Sequence, residues 1–261
     1  MPQSDQPQLG STGWRNKLAA DILGAMGDVR LLWIPLSTDT TTSTTLDPDL
    51  RMVTWDATVA ARLTAQGPVG GVLQSFNGTD QYGTMPDTAN MSFTDDIFSV
   101  AVLANVTNTA ADRVLFAKYN VAGTLREYAF LVNGTGDTLQ LNLYDESTDQ
   151  QPLRTSDAAI TMGSLRLFST TCTAVSAVAA RSADITLYQN AAVIASTGSG
   201  DNALYAGMEN TAATPSIGSL QSGVAPFSGS LGLTVVAATA WSAKQHLILK
   251  DIVNYYYGLS L

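Results

Sequence analysis

The sequence predicts an all-β fold, an antiparallel β-sandwich that extends from about residue 71 to the C-terminus. Apolar and polar side chains alternate in residues 98–106, 128–132, 139–143 and 231–237. This period of two is typical of strands that bury one face. In the last segment it places Leu231, Leu233, Val235 and Ala237 on one buried face. Turn sequences separate such segments, and residues 133–137 and 189–192 are predicted to form hairpin turns.

A single helix is predicted to close the chain and cover the sandwich. Ser242 can cap its N-terminus, and Gln245, three residues later, completes a capping box. The predicted buried stripe consists of Ile248, Leu249, Ile252, Val253 and Tyr256. Gly258 is placed to end the helix.

Residues 1–70 are predicted to form a separate lead-in segment, with the sandwich occupying residues 71–261. A polar arm precedes a short amphipathic helix that ends at Gly27, and a strand over residues 29–36 follows. Residues 37–45 are rich in threonine and are predicted to form a loop, before a second short strand at 52–55. The glycine-rich residues 66–71 are the predicted boundary. The apolar face predicted for the short N-terminal helix consists of Trp14, Leu18, Ile22, Ala25 and Met26, which recur at helical spacing.

Composition excludes several classes of partner. The chain has 261 residues, 45% of them apolar, so it can bury a large core. Its net charge of −9 argues against binding to nucleic acids, which requires a basic surface, and against docking on anionic membranes. Cys172 is the one cysteine, which rules out an intramolecular disulfide, and it is predicted to be a small buried apolar residue.

Seven short motifs, in order, resemble the strands and closing helix of laminin-G-like jelly rolls, in the concanavalin A-like lectin/glucanase superfamily. They lie at residues 76–82 (FNGTDQY), 98–100, 115–118, 185–190, 217–218, 227–231 and 241–245. The resemblance implies a jelly-roll sandwich. Residues 33–35, 40–45, 54–58 and 74–78 further resemble segments of lectin-fold virion proteins of tailed bacteriophages. That narrower resemblance implies a virion component.

Catalytic, metal and cofactor sites are not predicted. Glycoside hydrolases need two facing carboxylates, and the acidic residues of 145–149 have the composition of a solvated loop. His246, the one histidine, lies in the closing helix and has no G-x-S-x-G partner. Calcium stays open for the loop pairs at 95–96, 145–146 and 201–202, although none has a specific ligand spacing.

A lectin site would need aromatic rings at loops, and Tyr119 with Asn120, and Tyr205, are the candidates. The alternative for these tyrosines is that they close the core of the sandwich. The sequence does not separate the two roles.

The function predicted from these observations is that of a non-enzymatic phage structural protein, a capsid decoration or auxiliary protein. Residues 1–70 are expected to attach it to the major capsid protein or to neighbouring copies, as a homo-oligomer or part of a larger assembly. Because the N-terminus lacks a basic and then apolar leader, synthesis in the host cytoplasm without a signal peptide is expected, with the virion as destination. The alternative is a carbohydrate-binding adhesin on a tail or head fibre that recognises host glycans. A glycoside hydrolase ranks last.

Overall fold

A computed structural model describes residues 11–35, 42–49, 51–56, 63–66, 71–94, 96–107, 110–174 and 178–261. These residues contain two α-helices, α1 (Ser11–Met26) and α2 (Ala243–Tyr257). The strands are β1 (Val29–Trp33), β2 (Thr42–Thr44), β3 (Met52–Asp56), β4 (Leu63–Gln66), β5 (Gly71–Asn77), β6 (Tyr82–Thr84), β7 (Phe98–Val106), β8 (Arg113–Asn120), β9 (Leu125–Asn133), β10 (Thr138–Leu143), β11 (Leu153–Ser156), β12 (Arg166–Cys172), β13 (Ile185–Gln189), β14 (Ala192–Val193), β15 (Ser196–Ser199), β16 (Pro215–Ile217) and β17 (Ser228–Ala237).

The strands form two antiparallel sheets that pack face to face. Sheet A has the order β14-β13-β12-β7-β17-β5-β4, and β1 also pairs with β17. Sheet B has the order β15-β11-β10-β9-β8-β16-β6-β3-β2. Neighbours in the sheets are often distant in sequence, since β17 lies between β5 and β7. The predicted all-β sandwich with a helix near each end is confirmed.

The space between the sheets is filled by side chains that the alternation identifies. Phe98 on β7, Phe130 on β9 and Leu141 on β10 are fully buried there. Phe93 and Phe98 stack with their ring centroids 4.7 Å apart. Cys172 also lies in this core, as predicted. The pattern of period two therefore correctly identifies the inner faces of β7, β9 and β10.

The prediction for residues 231–237 is wrong in one respect. Leu231 faces the space between the sheets, but Leu233, Val235 and Ala237 face the helices on the other side of sheet A. The pairing of β17 with β7 shifts in register between Leu231 and Leu233. Such a bulge adds one residue to one strand, so the side chains beyond it point to the opposite face.

Both helices pack on the outer face of sheet A. Trp14 and Leu18 of α1 are buried, and the Trp14 ring meets the Tyr257 ring of α2 edge-on at 6.2 Å. Gly27, with φ at +82°, follows the last turn of α1. The predicted capping box at Ser242 and the left-handed C-cap at Gly258 are both confirmed. Neither helix in the described ranges is long and apolar enough to cross a bilayer.

The lead-in segment shares the core and the sheets of the sandwich. Strand β1 pairs with β17, and β3 pairs with β6. Residues Thr42–Thr44, predicted as part of a loop, form a strand that pairs with β3, in keeping with the preference of threonine for strands. The predicted boundary falls mainly on residues 67–70, which lie outside the described residues. Attachment through this segment stays a prediction.

Candidate functional site

The two sheets differ in what covers their outer faces. Sheet A is covered by α1 and α2, which bury a second apolar cluster against it. The outer face of sheet B carries its own cluster, on which Leu220 and Ala225 pack. This cluster consists of Val114, Ala117, Tyr119, Ala129, Leu131 and Tyr144. The outer face of sheet B is therefore the broad face of the sandwich that the helices do not occupy.

A local irregularity in sheet B shifts the pairing of β9 with β8 by one residue. Lys118 of β8 pairs with Tyr128, but the next residue, Tyr119, pairs with Arg126, so Glu127 has no opposite residue. Glu127 is fully buried, whereas Arg126 keeps about 19% of its side-chain surface exposed. The bulge thus brings a guanidinium group to the outer face beside Tyr119.

Two tyrosines and this arginine form the centre of the outer face. The Tyr119 and Tyr144 rings meet edge-on, with centroids 5.8 Å apart. The Arg126 guanidinium lies 3.8 Å from the centroid of the Tyr144 ring, which is a cation–π contact. Tyr119 and Tyr144 are 8% and 4% exposed, so only a small part of each side chain reaches solvent.

Two carboxylates fix the position of Arg126. Glu146 accepts hydrogen bonds from Nε at 2.7 Å and from Nη2 at 2.6 Å, a bidentate arrangement. Asp149 accepts from Nη2 at 3.3 Å and also from the Tyr144 hydroxyl. The hydrogen bonds from Arg126 lower the pKa of Glu146, so this carboxylate is ionised at neutral pH. Burial, together with the bond to Asp149, raises the pKa of Tyr144, which stays a neutral phenol.

Two carboxamides continue the polar surface along β10. Gln140 and Asn142 are two residues apart, so they share a face, and the Gln140 amide donates to the Asn142 carbonyl. Their cross-strand neighbours on β9 are Leu131 and Ala129. Carboxamides supply both donors and acceptors, in contrast to the ionised groups nearby. The face therefore combines ring edges, a fixed ion pair and amides, a set that can bind a hydroxylated ligand.

The structure buries both of the tyrosines that the sequence offered as lectin residues, so their role in binding stays a prediction. Tyr119 lies on the outer face of sheet B. Asn120 is next to it, and its Oδ1 accepts a hydrogen bond from Gly123 N at 3.1 Å within the β8–β9 turn. Tyr205 is only 1% exposed, so it closes the core.

The acidic loop residues considered for calcium or catalysis are engaged by the backbone. Asp145 accepts hydrogen bonds from Ala206 N at 2.6 Å and Thr148 N at 3.0 Å. Burial alone would raise the pKa of Asp145, but these bonds and that of Ser147 hold it at about 2. Asp201 accepts from Ser182 N at 2.7 Å. Across the described ranges, no three His, Cys, Asp or Glu side chains are grouped closely enough to hold a metal ion.

Residue 95 of the first calcium pair lies outside the described residues. The other two pairs contribute to the loops that flank the sandwich, and their oxygens serve as acceptors for main-chain amides. Asp145 organises the turn in which it lies through the amide of Thr148, whereas Asp201 binds the amide of Ser182 in a distant segment.

Sequence reasoning missed the residues at the centre of this face other than Tyr119. Arg126 and Glu127 are adjacent charges in a strand, where alternation alone would expose one and bury the other. The buried partner is Lys118, whose Nζ donates to Glu127 Oε1 at 2.5 Å and to Thr211 O at 2.8 Å. The sequence does contain one signal of this buried pair: Lys118 lies in one apolar strand, and the charged residues Arg126 and Glu127 lie in the next. This signal does not show which of the two charges is buried.

No protein-family model and no curated protein sequence matches the chain. Several solved structures are similar to it. The receptor-binding domain of botulinum neurotoxin C/D mosaic serotype has a TM-score of 0.58 and 9% identity, over 86% of this chain and 51% of that one. The ligand-binding domain of botulinum neurotoxin serotype D, in complex with N-acetylneuraminic acid, has a TM-score of 0.58 and 10% identity, over 88% and 52%.

Domain 4 of AbnA, an extracellular arabinanase from Geobacillus stearothermophilus, in complex with arabinotriose, has a TM-score of 0.56 and 15% identity. The match covers 86% of this chain and all of that one. The chain shares the β-sandwich fold of these domains. It spans about half the length of the neurotoxin domains that it matches. At these identities the likeness concerns the fold alone.

Proposed function

We propose that the protein is a carbohydrate-binding protein and that glycans bind to the outer face of sheet B. One observation carries the proposal. The broad face of the sandwich that the helices do not cover carries Tyr119, Tyr144, the Arg126–Glu146 ion pair and the Gln140–Asn142 amides. Sugars present both apolar C–H faces and hydroxyls, and this face offers a partner for each.

The energetics favour such a ligand over a purely apolar one. The ion pair is already formed, and its arginine is held by two hydrogen bonds to Glu146, so little side-chain entropy is lost on binding. A hydroxyl can donate to the carboxylate and accept from the guanidinium without breaking the pair. Two of the similar structures were solved with N-acetylneuraminic acid or arabinotriose bound, which supports the choice of carbohydrate as the ligand class.

We propose in addition that the face binds without hydrolysis. Glycoside hydrolysis needs one protonated and one ionised carboxyl group flanking the glycosidic bond. Here Glu146 and Asp149 both accept hydrogen bonds from Arg126, and the pKa of Glu146 is lowered. Glu146 is therefore unsuited to serve as the general acid.

Binding of the labelled protein to a glycan array, followed by titration calorimetry with N-acetylneuraminic acid and with arabinotriose, tests this proposal. Arg126→Gln is expected to weaken binding of any glycan found by about tenfold or more, since a charge-assisted contact is lost. Arg30→Gln is the matched control, because Arg30 is also ion-paired, to Asp28, but belongs to sheet A. Equal affinities of a folded Arg126→Gln variant and the native protein would refute the assignment of the site.

A virion location and partners among virion proteins remain a proposal that rests on the resemblance of the lead-in. The described part of that segment is built into the fold, since Trp14, Leu18 and Ile22 are buried against sheet A. Attachment is therefore assigned to exposed parts of the lead-in. The test is to probe purified phage particles with an antibody against this chain. Particles that do not contain the chain would exclude a virion role.

A further inference from the structure

A cavity of about 440 Å³ opens on the outer face of sheet A, beyond the last turn of α2. It lies on the side of the sandwich opposite to the glycan face proposed above. Its walls include Leu73, Asn105, Ser164, Leu165, Arg166 and Ser230. The volume falls within the range of about 300–1,000 Å³ that is usual for small-molecule sites.

Three buried side-chain atoms, each belonging to a residue that lines this cavity, have no hydrogen-bond partner among the described residues. They are Asn105 Oδ1, Ser164 Oγ and Arg166 Nε. Buried polar atoms are almost always satisfied, and leaving one unsatisfied costs about 1–3 kcal/mol. Three residues of this kind around one cavity make it a candidate site for a polar ligand.

One wall of the cavity is polar, and its side chains come from neighbouring strands of sheet A. Asn105 of β7 and Ser230 of β17 are direct cross-strand partners, so their side chains share a face. The Ser230 hydroxyl lies 3.3 Å from the Ser75 hydroxyl of β5. A row of three polar side chains on adjacent strands thus ends at Asn105, whose side-chain oxygen accepts no hydrogen bond from the described residues.

The opposite wall is a loop that two features fix in place. Gly163 has φ at +75°, a conformation that favours glycine, and its N–H donates to Val106 O at 2.9 Å. Ser164 follows directly and lines the cavity. Arg166 begins β12, and its Nη1 donates to Leu165 O at 3.3 Å. Among the described residues it forms no ion pair, although the whole chain carries a net charge of −9.

We propose that this cavity binds a hydroxylated carboxylate of about the size of a monosaccharide, as in a uronic acid. The Arg166 guanidinium donates to the carboxylate, which supplies the missing counter-charge. A ligand hydroxyl donates to Asn105 Oδ1, and the Ser164 hydroxyl bonds to a neighbouring ligand oxygen. Leu73 and Leu165 contact the C–H groups. The inference rests on the cavity itself and does not depend on glycan binding to sheet B.

The test is a titration of the ¹⁵N-labelled full chain with D-glucuronate, D-glucose and propionate, followed by amide shifts in NMR spectra. D-glucuronate is expected to shift the amides of residues 105, 163–166 and 230 in a saturable manner, at least tenfold more tightly than the other two compounds. D-glucose separates the role of the carboxylate, and propionate separates the role of the hydroxyls.

Arg166→Gln is expected to weaken D-glucuronate binding about tenfold or more, and Ser164→Ala to weaken it less while leaving the fold intact. Lys244→Gln, at an exposed lysine of α2, is the control for loss of one positive charge. Equal binding of D-glucose, an equal effect of Lys244→Gln, or shifts confined to sheet B would each overturn the proposal. The last result would still leave the proposed glycan face intact, so the two can fail separately.

Discussion

Acidification should destabilise the protein through His246, the one histidine of the chain. Its imidazole is 1% exposed and lies between two hydroxyls of β12, with Nδ1 2.9 Å from Ser169 Oγ and Nε2 3.1 Å from Thr171 Oγ1. The ring stacks on Tyr188 with centroids 3.7 Å apart. A neutral imidazole has one donor and one acceptor, which the two hydroxyls can satisfy.

Burial lowers the pKa of His246 to about 4, from an ordinary value of 6.5. The unfolded chain therefore takes up a proton at a higher pH than the folded one, and stability falls as the pH drops from 6.5 towards 4. The slope is about 1.4 kcal/mol per pH unit within this window. The expected loss is about 2 kcal/mol at pH 5, and about 3 kcal/mol once the pH is below 4.

The assay is urea unfolding from pH 7.5 to pH 4, carried out on the native protein and on His246→Gln. The substitution removes the stacking on Tyr188 at every pH, so that cost is a constant offset. The pH dependence of the difference between the two proteins then reports on the imidazole, because the carboxylates are common to both. NMR of the single imidazole gives its pKa directly. A titration midpoint near 6.5, or parallel pH profiles for the two proteins, would refute the reasoning.

Three further substitutions, two of them paired with a second variant, test other parts of the fold by urea unfolding. Lys118→Met should cost about 3–5 kcal/mol because it leaves the Glu127 charge buried and unpaired, and adding Glu127→Leu should restore part of that loss; no recovery would contradict a buried pair. Leu18→Ala should cost about 2–5 kcal/mol because α1 belongs to the core, whereas a cost below about 0.5 kcal/mol would show a separable helix. Gly229→Ala should prevent folding or cost over about 3 kcal/mol, since its Cβ would lie 1.9 Å from a carbonyl oxygen of β7 at a φ of +139°. Gly24→Ala is its control: no atom of the described residues lies within 4 Å of the added Cβ, so stability should not fall.

Local sequence patterns correctly predict those features of the structure that depend only on neighbouring residues. The turn at 189–192 forms with Asn190 and Ala191 both at positive φ, at +53° and +66°. The capping box of α2 spans only three residues, from Ser242 to Gln245. In each case the hydrogen bonds close within one turn, so the residue types at fixed spacing determine the geometry.

The bulge in β17 is a feature that local sequence patterns do not predict. Leu231, Leu233, Val235 and Ala237 keep a period of two, yet the first faces one core and the other three face another. Both environments are apolar, so hydrophobicity alone does not record the change of face. Only the register of β17 against β7 reveals it.

The sequence by itself determined that this chain is an all-β sandwich, where its clearest strands and closing helix lie, and that its one cysteine is buried. The tertiary structure decided which polar groups meet. Lys118 donates to the carbonyl oxygen of Thr211, 93 residues away, and Asn105 faces Ser230 across the strands of sheet A. The alternation of apolar and polar residues and the capping of a helix each depend on residues close together in the chain, so both can be identified from the sequence. The candidate glycan face and the cavity under Arg166 depend on strand pairing between distant segments, which only the folded chain establishes.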